Sequence, residues 1–146
     1  YLDRTVFYRS RDFSPDTFQE AMMAESKPYP EALALVGSLA ASGRYLLATL
    51  NNESRELNQA RIERFELDRY FSVFFSSGFL GVKKPDPAIY RLALQITQRD
   101  PGECVFIDDR DLNLECALGE GMHAIHYESP AGLRSTLAEL GVRGQE

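Results

Sequence analysis

The chain has 146 residues, of which 44% are hydrophobic and 26% charged, and its formal net charge is −6. This length fits one domain that buries a core of its own. The acidic balance gives no reason to bind nucleic acid or an anionic membrane. All apolar runs are far shorter than the roughly 20 residues of a membrane span, so we expect a soluble protein.

The first residues and the two cysteines of the chain indicate the cellular compartment in which we expect the protein. It begins Tyr1-Leu2-Asp3, without an initiator methionine or a basic segment followed by an apolar one. This opening is not a signal peptide, and it suggests that further sequence lies upstream. Cys104 and Cys116 are too few for a zinc or disulfide framework and fit a reducing cytoplasm. The oligomeric state cannot be predicted.

The first predicted elements are two helices. Ser14-Pro15-Asp16-Thr17 is typical of a helix start, with serine as the N-cap, and this helix extends to about Glu25. Lys27-Pro28-Tyr29-Pro30 interrupts the pattern, after which a second helix continues until Gly43. The interruption is the one candidate domain boundary.

The boundary divides the chain into a helical segment over 1–28 and a domain over 29–146. In the second part, predicted strands and helices alternate. The strands cover 45–50, 73–75, 104–107 and 123–127, and the helices cover 54–67, 87–97, 111–118 and a stripe of Leu133, Leu137 and Leu140. Strands that are apolar on both faces, separated by amphipathic helices, predict an α/β fold with a parallel sheet covered on both sides.

Polar residues follow three consecutive strands, at the edge where such sheets bind ligands. Asn51-Asn52 ends the first strand, Lys84 follows the second, and Asp108-Asp109 ends the third. The first two sets fit ordinary helix capping and solvation. Adjacent carboxylates at the end of an apolar strand, in contrast, need a cation or hydrogen-bond donors to compensate them.

The acid pair points to a hard metal ion such as Mg2+. This ion takes one or two carboxylates together with waters and phosphate oxygens of the substrate. Lys84 would supply a compact positive charge for the same phosphate. We therefore predict a site for Mg2+ and a small phosphorylated substrate.

Several segments in this order resemble the haloacid dehalogenase-like hydrolase superfamily. They are residues 81–90, GVKKPDPAIY, then residues 105–109, VFIDD, then Asn113 and Gly121-Met122. These segments resemble the third and fourth motifs of the superfamily. The resemblance as a whole extends over residues 29–140. It implies a Rossmann-like three-layer fold, with the opening helices as the remnant of a small helical cap, and Mg2+-dependent phosphatase activity.

The resemblance also implies a role for each matching residue. Lys84 matches the lysine that steadies the nucleophile and the phosphate, so it is expected to be catalytic and to bind substrate. Asp109, helped by Asp108, matches the acid that holds Mg2+. Asn113 stands beside these ligands, where many relatives have a second acid.

The second motif departs from the family pattern of Ser or Thr followed by Asn. Asn51-Asn52 occupies this place, and the Asn51 amide can donate to a phosphoryl oxygen. We therefore expect Asn51 and Asn52 to bind substrate. An alternative alignment uses Thr49, two residues back on the same strand face.

The first motif, an Asp-x-Asp whose first acid attacks phosphorus, is the main departure. The only Asp-x-Asp in the sequence is Asp109-Arg110-Asp111, which follows the lysine instead of preceding it. We therefore expect the first strand of the sheet, with the nucleophile, to lie upstream of Tyr1.

Two functions remain open at this point. The first is a phosphate-monoester phosphatase that acts through an aspartyl-phosphate in the intact protein. The acid pair favours it over a dehalogenase, since the dehalogenases of the family do without metal. The alternative is a noncatalytic or truncated module that binds phosphate and Mg2+ without turnover. A phosphoacceptor receiver domain does not fit, because its acids precede its lysine.

Overall fold

A computed structural model describes residues 6–145 of the chain. Its helices and strands are α1 (Pro15–Glu25), α2 (Pro30–Ala41), β1 (Ala48–Asn51), α3 (Arg55–Arg64), β2 (Val73–Ser76), α4 (Ser77–Leu80), α5 (Pro87–Thr97), β3 (Val105–Asp108), α6 (Asp111–Gly119), β4 (His123–His126) and α7 (Pro130–Glu139). The first five residues of the predicted segment 1–28 and the last residue of the predicted domain 29–146 lie outside the described residues. No helix within 6–145 has the length and apolar content that crossing a membrane requires.

Four helices begin at a side chain that caps their first turn. The Oγ atoms of Ser14, Ser54 and Ser129 and a carboxylate oxygen of Asp86 each accept a hydrogen bond from a backbone N–H two or three residues later. Such acceptors satisfy amide groups that have no partner inside the helix. The predicted starts of α1 and α5 rest on this chemistry, and both helices end where predicted.

The strands form two parallel pairs. β1 pairs with β2, from Ala48 opposite Val73 onward, and β3 pairs with β4, from Val105 opposite His123 onward. Within the described residues these pairs are separate two-stranded sheets. β1 begins three residues later than the predicted start at Tyr45, because its ladder partners begin only at Val73.

Helices cover both faces of the strands. On one face α2 and α7 pack against β4 through Leu35, Leu39, Leu133, Leu137 and Ile125. On the other face α5 and α6 pack against β3 through Ile89, Tyr90, Leu114, Ala117 and Phe106. This arrangement confirms the predicted α/β fold, in which parallel strands lie between two helical layers.

An open cleft of about 390 Å³ is lined by both β1 and β3. Leu39, Leu94 and Leu137, from helices of both layers, provide apolar walls. Each of the two strands is paired on one side only within the described residues. The cleft thus offers two strand edges and apolar surfaces above and below, which are the surroundings of a buried strand in a parallel sheet.

Candidate active site

Lys84 and Asp108 form the centre of the site. The Lys84 Nζ atom lies 2.5 Å from Asp108 Oδ2, and the two side chains are only 11% and 6% exposed. Asp108 is the last residue of β3, whereas Lys84 lies in the loop before α5. The fold therefore brings together two of the predicted residues that are 24 positions apart, in a nearly buried ion pair.

Asp108 accepts hydrogen bonds at both of its carboxylate oxygens. Besides Lys84, its Oδ1 atom accepts from Asn113 Nδ2 at 2.9 Å and from the backbone N–H of Arg110 at 3.0 Å. Burial alone would raise the pKa of Asp108, but the hydrogen bonds from Lys84 and Asn113 outweigh it and lower the pKa. The pair therefore stabilises the fold above the ordinary range of aspartate, and this contribution is lost as the pH falls through the lowered pKa.

Tyr90 contacts Asn113, one of the residues that hold Asp108, from the buried side of the site. Its ring is fully buried against Phe106, and its hydroxyl donates to the backbone carbonyl of Asn113 at 2.9 Å. Burial raises the pKa of Tyr90, so the hydroxyl stays protonated and keeps donating this hydrogen bond. No function was predicted for Tyr90 from the sequence. The signal was a tyrosine on an apolar helix face, whose hydroxyl needs a partner.

Replacing Tyr90 by phenylalanine is expected to lower the free energy of unfolding by about 1.5 kcal/mol, because the buried hydrogen bond from the Tyr90 hydroxyl to the Asn113 carbonyl is lost. Urea unfolding of the 146-residue chain measures this change. Tyr29→Phe is the control, since Tyr29 is 75% exposed and should show no effect. Equal midpoints for the two variants would contradict a supporting function of the Tyr90 hydroxyl.

Asn52 holds the backbone of Lys84. Its Nδ2 atom donates to the Lys84 carbonyl, and its Oδ1 atom accepts from the Lys84 N–H, both at 2.8 Å. We call this pair of hydrogen bonds the Asn52 clamp. Both polar atoms of the Asn52 side chain are thus engaged in fixing the lysine, and its binding of substrate stays a prediction.

Asn51 lies beside the clamp at the end of β1. Its Nδ2 atom donates to Asn58 Oδ1 on α3 at 2.8 Å, and Asn58 is buried. Asn51 Oδ1 and Thr49 Oγ1 are both buried and have no hydrogen-bond partner among residues 6–145. The structure therefore leaves unpaired polar atoms on both alternatives for the second motif, and the choice between them stays open. Asn58 was not identified from the sequence, because only the folded structure shows that its side chain accepts a hydrogen bond from Asn51.

Asp109 differs from its neighbour Asp108. It is exposed, and its carboxylate makes no hydrogen bond or ion pair to another described residue. His126 Nε2 lies 3.1 Å from the Asp109 backbone oxygen and so holds the main chain there. The described residues contain no cluster of three or more acidic, histidine or cysteine side chains that could bind a metal. A free carboxylate of this kind still fits Mg2+, which takes few protein ligands and keeps waters and phosphate oxygens.

The loop that carries Asn52 is anchored against the start of α4. The Glu53 carbonyl accepts from the Gly78 N–H at 2.9 Å and from the Ser76 hydroxyl at 3.0 Å. A Cβ atom on Gly78 would lie 2.7 Å from backbone atoms of Glu53 and Arg55, so only glycine permits this approach. The ends of β1 and β2 are thereby locked together beside the site.

The site thus places a lysine and acids around the carboxyl ends of parallel strands in an α/β fold. A family model described as haloacid dehalogenase-like hydrolase matches residues 2–117. The chain therefore belongs to the haloacid dehalogenase-like hydrolase family, which confirms the resemblance found in its motifs.

Two curated relatives are similar over much of the chain. Flavin mononucleotide hydrolase 1 of Arabidopsis thaliana is 30% identical over 97% of this chain and 57% of its own length. (S)-2-haloacid dehalogenase 4A of Burkholderia cepacia is 32% identical over 76% of this chain and 47% of its own length. The chain thus spans about half the length of these relatives.

A solved structure supports the fold. It is a variant of a HAD family enzyme of Bacteroides thetaiotaomicron, crystallised with magnesium and inorganic phosphate. The match has a TM-score of 0.71 at 19% identity, over 87% of this chain and 66% of that chain. At this level of identity the likeness concerns the fold.

Proposed function

We propose that the chain belongs to a Mg2+-dependent phosphatase that hydrolyses phosphate monoesters through an aspartyl-phosphate in the intact protein. The observation that carries the proposal is the nearly buried Lys84–Asp108 pair, with the free carboxylate of Asp109 directly beside it. A lysine fixed in this way offers a charge to a phosphate dianion, and the neighbouring acid offers a ligand to a hard cation.

Each residue of the site has a distinct task in this proposal. Lys84 binds a phosphoryl oxygen, while Asp108 and the Asn52 clamp hold its ammonium group and its backbone in place. Asp109 would hold Mg2+, with Asn113 fixing the adjacent carboxylate. When bound, the ion would neutralise phosphate charge as it develops in the reaction. Because Lys84 and Asp108 are held before substrate arrives, these two groups need little reorganisation during the chemical step.

The nucleophile is proposed to reside on a strand that fills the cleft between β1 and β3. Its Asp-x-Asp would then emerge at the same edge as Asn51 and Asp108, since the carboxyl ends of parallel strands meet there. The first aspartate would attack phosphorus and release the alcohol of the substrate, and water would then cleave the acyl phosphate. The apolar lining of the cleft supports a strand that is apolar on both faces.

Further predictions belong to this proposal. We propose residues 1–28 as part of a helical cap and residues 29–146 as the core. Both cysteines are free, which supports a reducing compartment such as the cytoplasm, although the Arabidopsis relative is described as chloroplastic. Flavin mononucleotide is itself a phosphate monoester, so that relative supports a small phosphorylated substrate. Nucleic acid and membranes are not among the proposed partners.

The alternative is a module that binds phosphate and Mg2+ without turnover. It is favoured by one observation: the neighbouring carboxylate of Asp108 is engaged by Lys84 and Asn113 and is therefore not free to act as a nucleophile. The two functions differ in whether a nucleophilic aspartate reaches the site, while the binding residues are the same.

Hydrolysis of p-nitrophenyl phosphate separates the two functions. We expect the complete gene product to release nitrophenol with Mg2+ and to lose this activity in EDTA, because the metal neutralises the phosphate. The 146-residue chain, assayed at the same concentration, should show no turnover. A complete gene product that is inactive with Mg2+ would favour the binding module, and turnover by the 146-residue chain would contradict the assignment of the nucleophile to another strand.

A further inference from the structure

Helix α1 is held on the rest of the molecule by two arginines of α3. No residue of α1 is fully buried. Arg61 Nε donates to Ser26 Oγ, at the C-cap of α1, at 3.2 Å, and Arg64 Nη1 donates to the Met23 carbonyl at 2.6 Å. The arginines are three positions apart, so they lie on one face of α3. Cationic donors at the C-terminal end of a helix also satisfy its free carbonyls.

Arg61 has a second partner that Arg64 lacks. Its Nη1 atom forms an ion pair with Glu53, whose side chain is only 13% exposed. Burial raises the pKa of Glu53, and the guanidinium of Arg61 counteracts the rise. The nearly buried carboxylate of Glu53 is therefore stabilised by the guanidinium of Arg61. A movement of this guanidinium changes the position of the Glu53 side chain or leaves its charge without a partner.

Glu53 is the residue directly after Asn52. Its carbonyl is fixed by Gly78 and Ser76, and its side chain by Arg61, so the loop after β1 is anchored on two sides. Asn52 in turn clamps the backbone of Lys84. One continuous set of polar contacts thus leads from the end of α1 to the lysine of the site.

We propose that Arg61 is a positioning residue that couples the placement of α1 to the Asn52 clamp on Lys84. The guanidinium is a rigid fork, so it cannot follow Ser26 without changing its hold on Glu53. A displacement of α1 then moves the loop that carries Asn52 and alters the position of Lys84. The consequence for substrate, a change in phosphate affinity, rests on the proposed function.

A cavity beside the junction gives this coupling room to operate. It measures about 370 Å³ and is lined by Ser26, Tyr29, Arg61 and Phe65, among others. The segment between α1 and α2 contains Pro28 and borders the same cavity. The side chain of Arg61 and the junction are therefore not locked by close packing, and their position depends on the polar contacts described above.

Three variants of the 146-residue chain test the coupling. Arg64→Met removes the hydrogen bond to the Met23 carbonyl of α1 and leaves Glu53 untouched. Glu53→Met removes the ion pair between the loop and Arg61. Arg61→Met removes both this ion pair and the hydrogen bond to Ser26. The first readout is the rate at which a glutamate-specific protease cleaves after Glu25, at the end of α1. The second is the NMR signals of the Asn52 side-chain amide and the Lys84 backbone amide.

We expect Arg64→Met to accelerate cleavage and to leave the Asn52 and Lys84 signals in place. Arg61→Met should shift both signals and accelerate cleavage on the order of tenfold, the scale of one hydrogen bond to a charged group. Glu53→Met is decisive, because Glu53 makes no hydrogen bond to α1 within the described residues. It should nevertheless accelerate cleavage after Glu25. This variant also decides the matter if Arg61→Met fails to fold.

Two results would overturn the coupling: unchanged cleavage in Glu53→Met, or identical Asn52 and Lys84 signals in Arg61→Met and Arg64→Met. Titration with inorganic phosphate, followed through the same signals, separates this question from the proposed function. If the variants behave as expected but phosphate binds to none of the chains, the coupling stands and the phosphate site fails. If phosphate binds, Arg61→Met should lower the affinity for phosphate more than Arg64→Met does.

Discussion

Replacing Lys84 by methionine is expected to lower kcat/KM of the complete gene product for p-nitrophenyl phosphate about a thousandfold, the effect of removing one preorganised electrostatic contact to the transition state. Lys84 is suited to this because its ammonium group is held by Asp108 and its backbone by Asn52. Initial rates at several substrate concentrations measure the loss. The matched control is Lys83→Met, since Lys83 is the adjacent lysine and is exposed.

The same substitution has a second expected effect, on stability. Lys84→Met leaves the carboxylate of Asp108 nearly buried without its cation, which should lower the free energy of unfolding by about 3 kcal/mol. The double variant Lys84→Met with Asp108→Asn removes the charge and should recover most of that loss without recovering activity. If Lys83→Met and Lys84→Met reduce hydrolysis equally, the assignment of Lys84 as the phosphate-binding lysine is wrong.

Replacing Asp109 by asparagine is expected to reduce Mg2+-dependent hydrolysis about a hundredfold, because the free carboxylate is the proposed ligand of the ion. Stability should hardly change, since Asp109 is exposed and makes no ion pair within the described part of the chain. Rates measured over a range of Mg2+ concentrations should show a much higher Mg2+ requirement.

Asp111→Asn is the control for this substitution. Asp111 is a neighbouring acid that is exposed and lies 3.5 Å from His126 Nδ1. It should retain the Mg2+ dependence of the unsubstituted protein. An Asp109→Asn variant with unchanged rates at low Mg2+ would exclude Asp109 as a ligand of the ion and would favour Asp108 in that role.

Much of the fold was predictable because its signals are local. The N-caps Ser14 and Asp86 and the prolines after them define α1 and α5 from neighbouring residues alone. The proximity of Lys84 and Asp108 was also predictable, since Asp108 ends β3, Lys84 follows β2 along the chain, and the carboxyl ends of parallel strands meet at one edge of a sheet. Their direct contact follows from the fold.

Other parts of the site could not be predicted, because they depend on which side chains meet in three dimensions. The hydrogen bonds of the Asn52 clamp join residues 32 positions apart, and no local signal in the sequence indicates them. Arg61 lies on a strongly polar helix with no distinguishing pattern, and only packing shows that it joins Glu53 to Ser26. The separation of the strands into two pairs was likewise not visible in the sequence, in which all four strands alternate with helices in the same way.

The most direct test of the proposed site is to locate the bound metal in the 146-residue chain. Mn2+ can replace Mg2+ at oxygen ligands, and it broadens the NMR signals of nearby amides. With inorganic phosphate present, we predict that broadening is strongest at Asp109, Lys84 and Asn52 and clearly weaker at Ala48 and at Val105, the far end of β3, because it falls steeply with distance from the ion. This pattern should disappear in Asp109→Asn and persist in Asp111→Asn. Broadening centred elsewhere, or unaffected by Asp109→Asn, would contradict the proposed site.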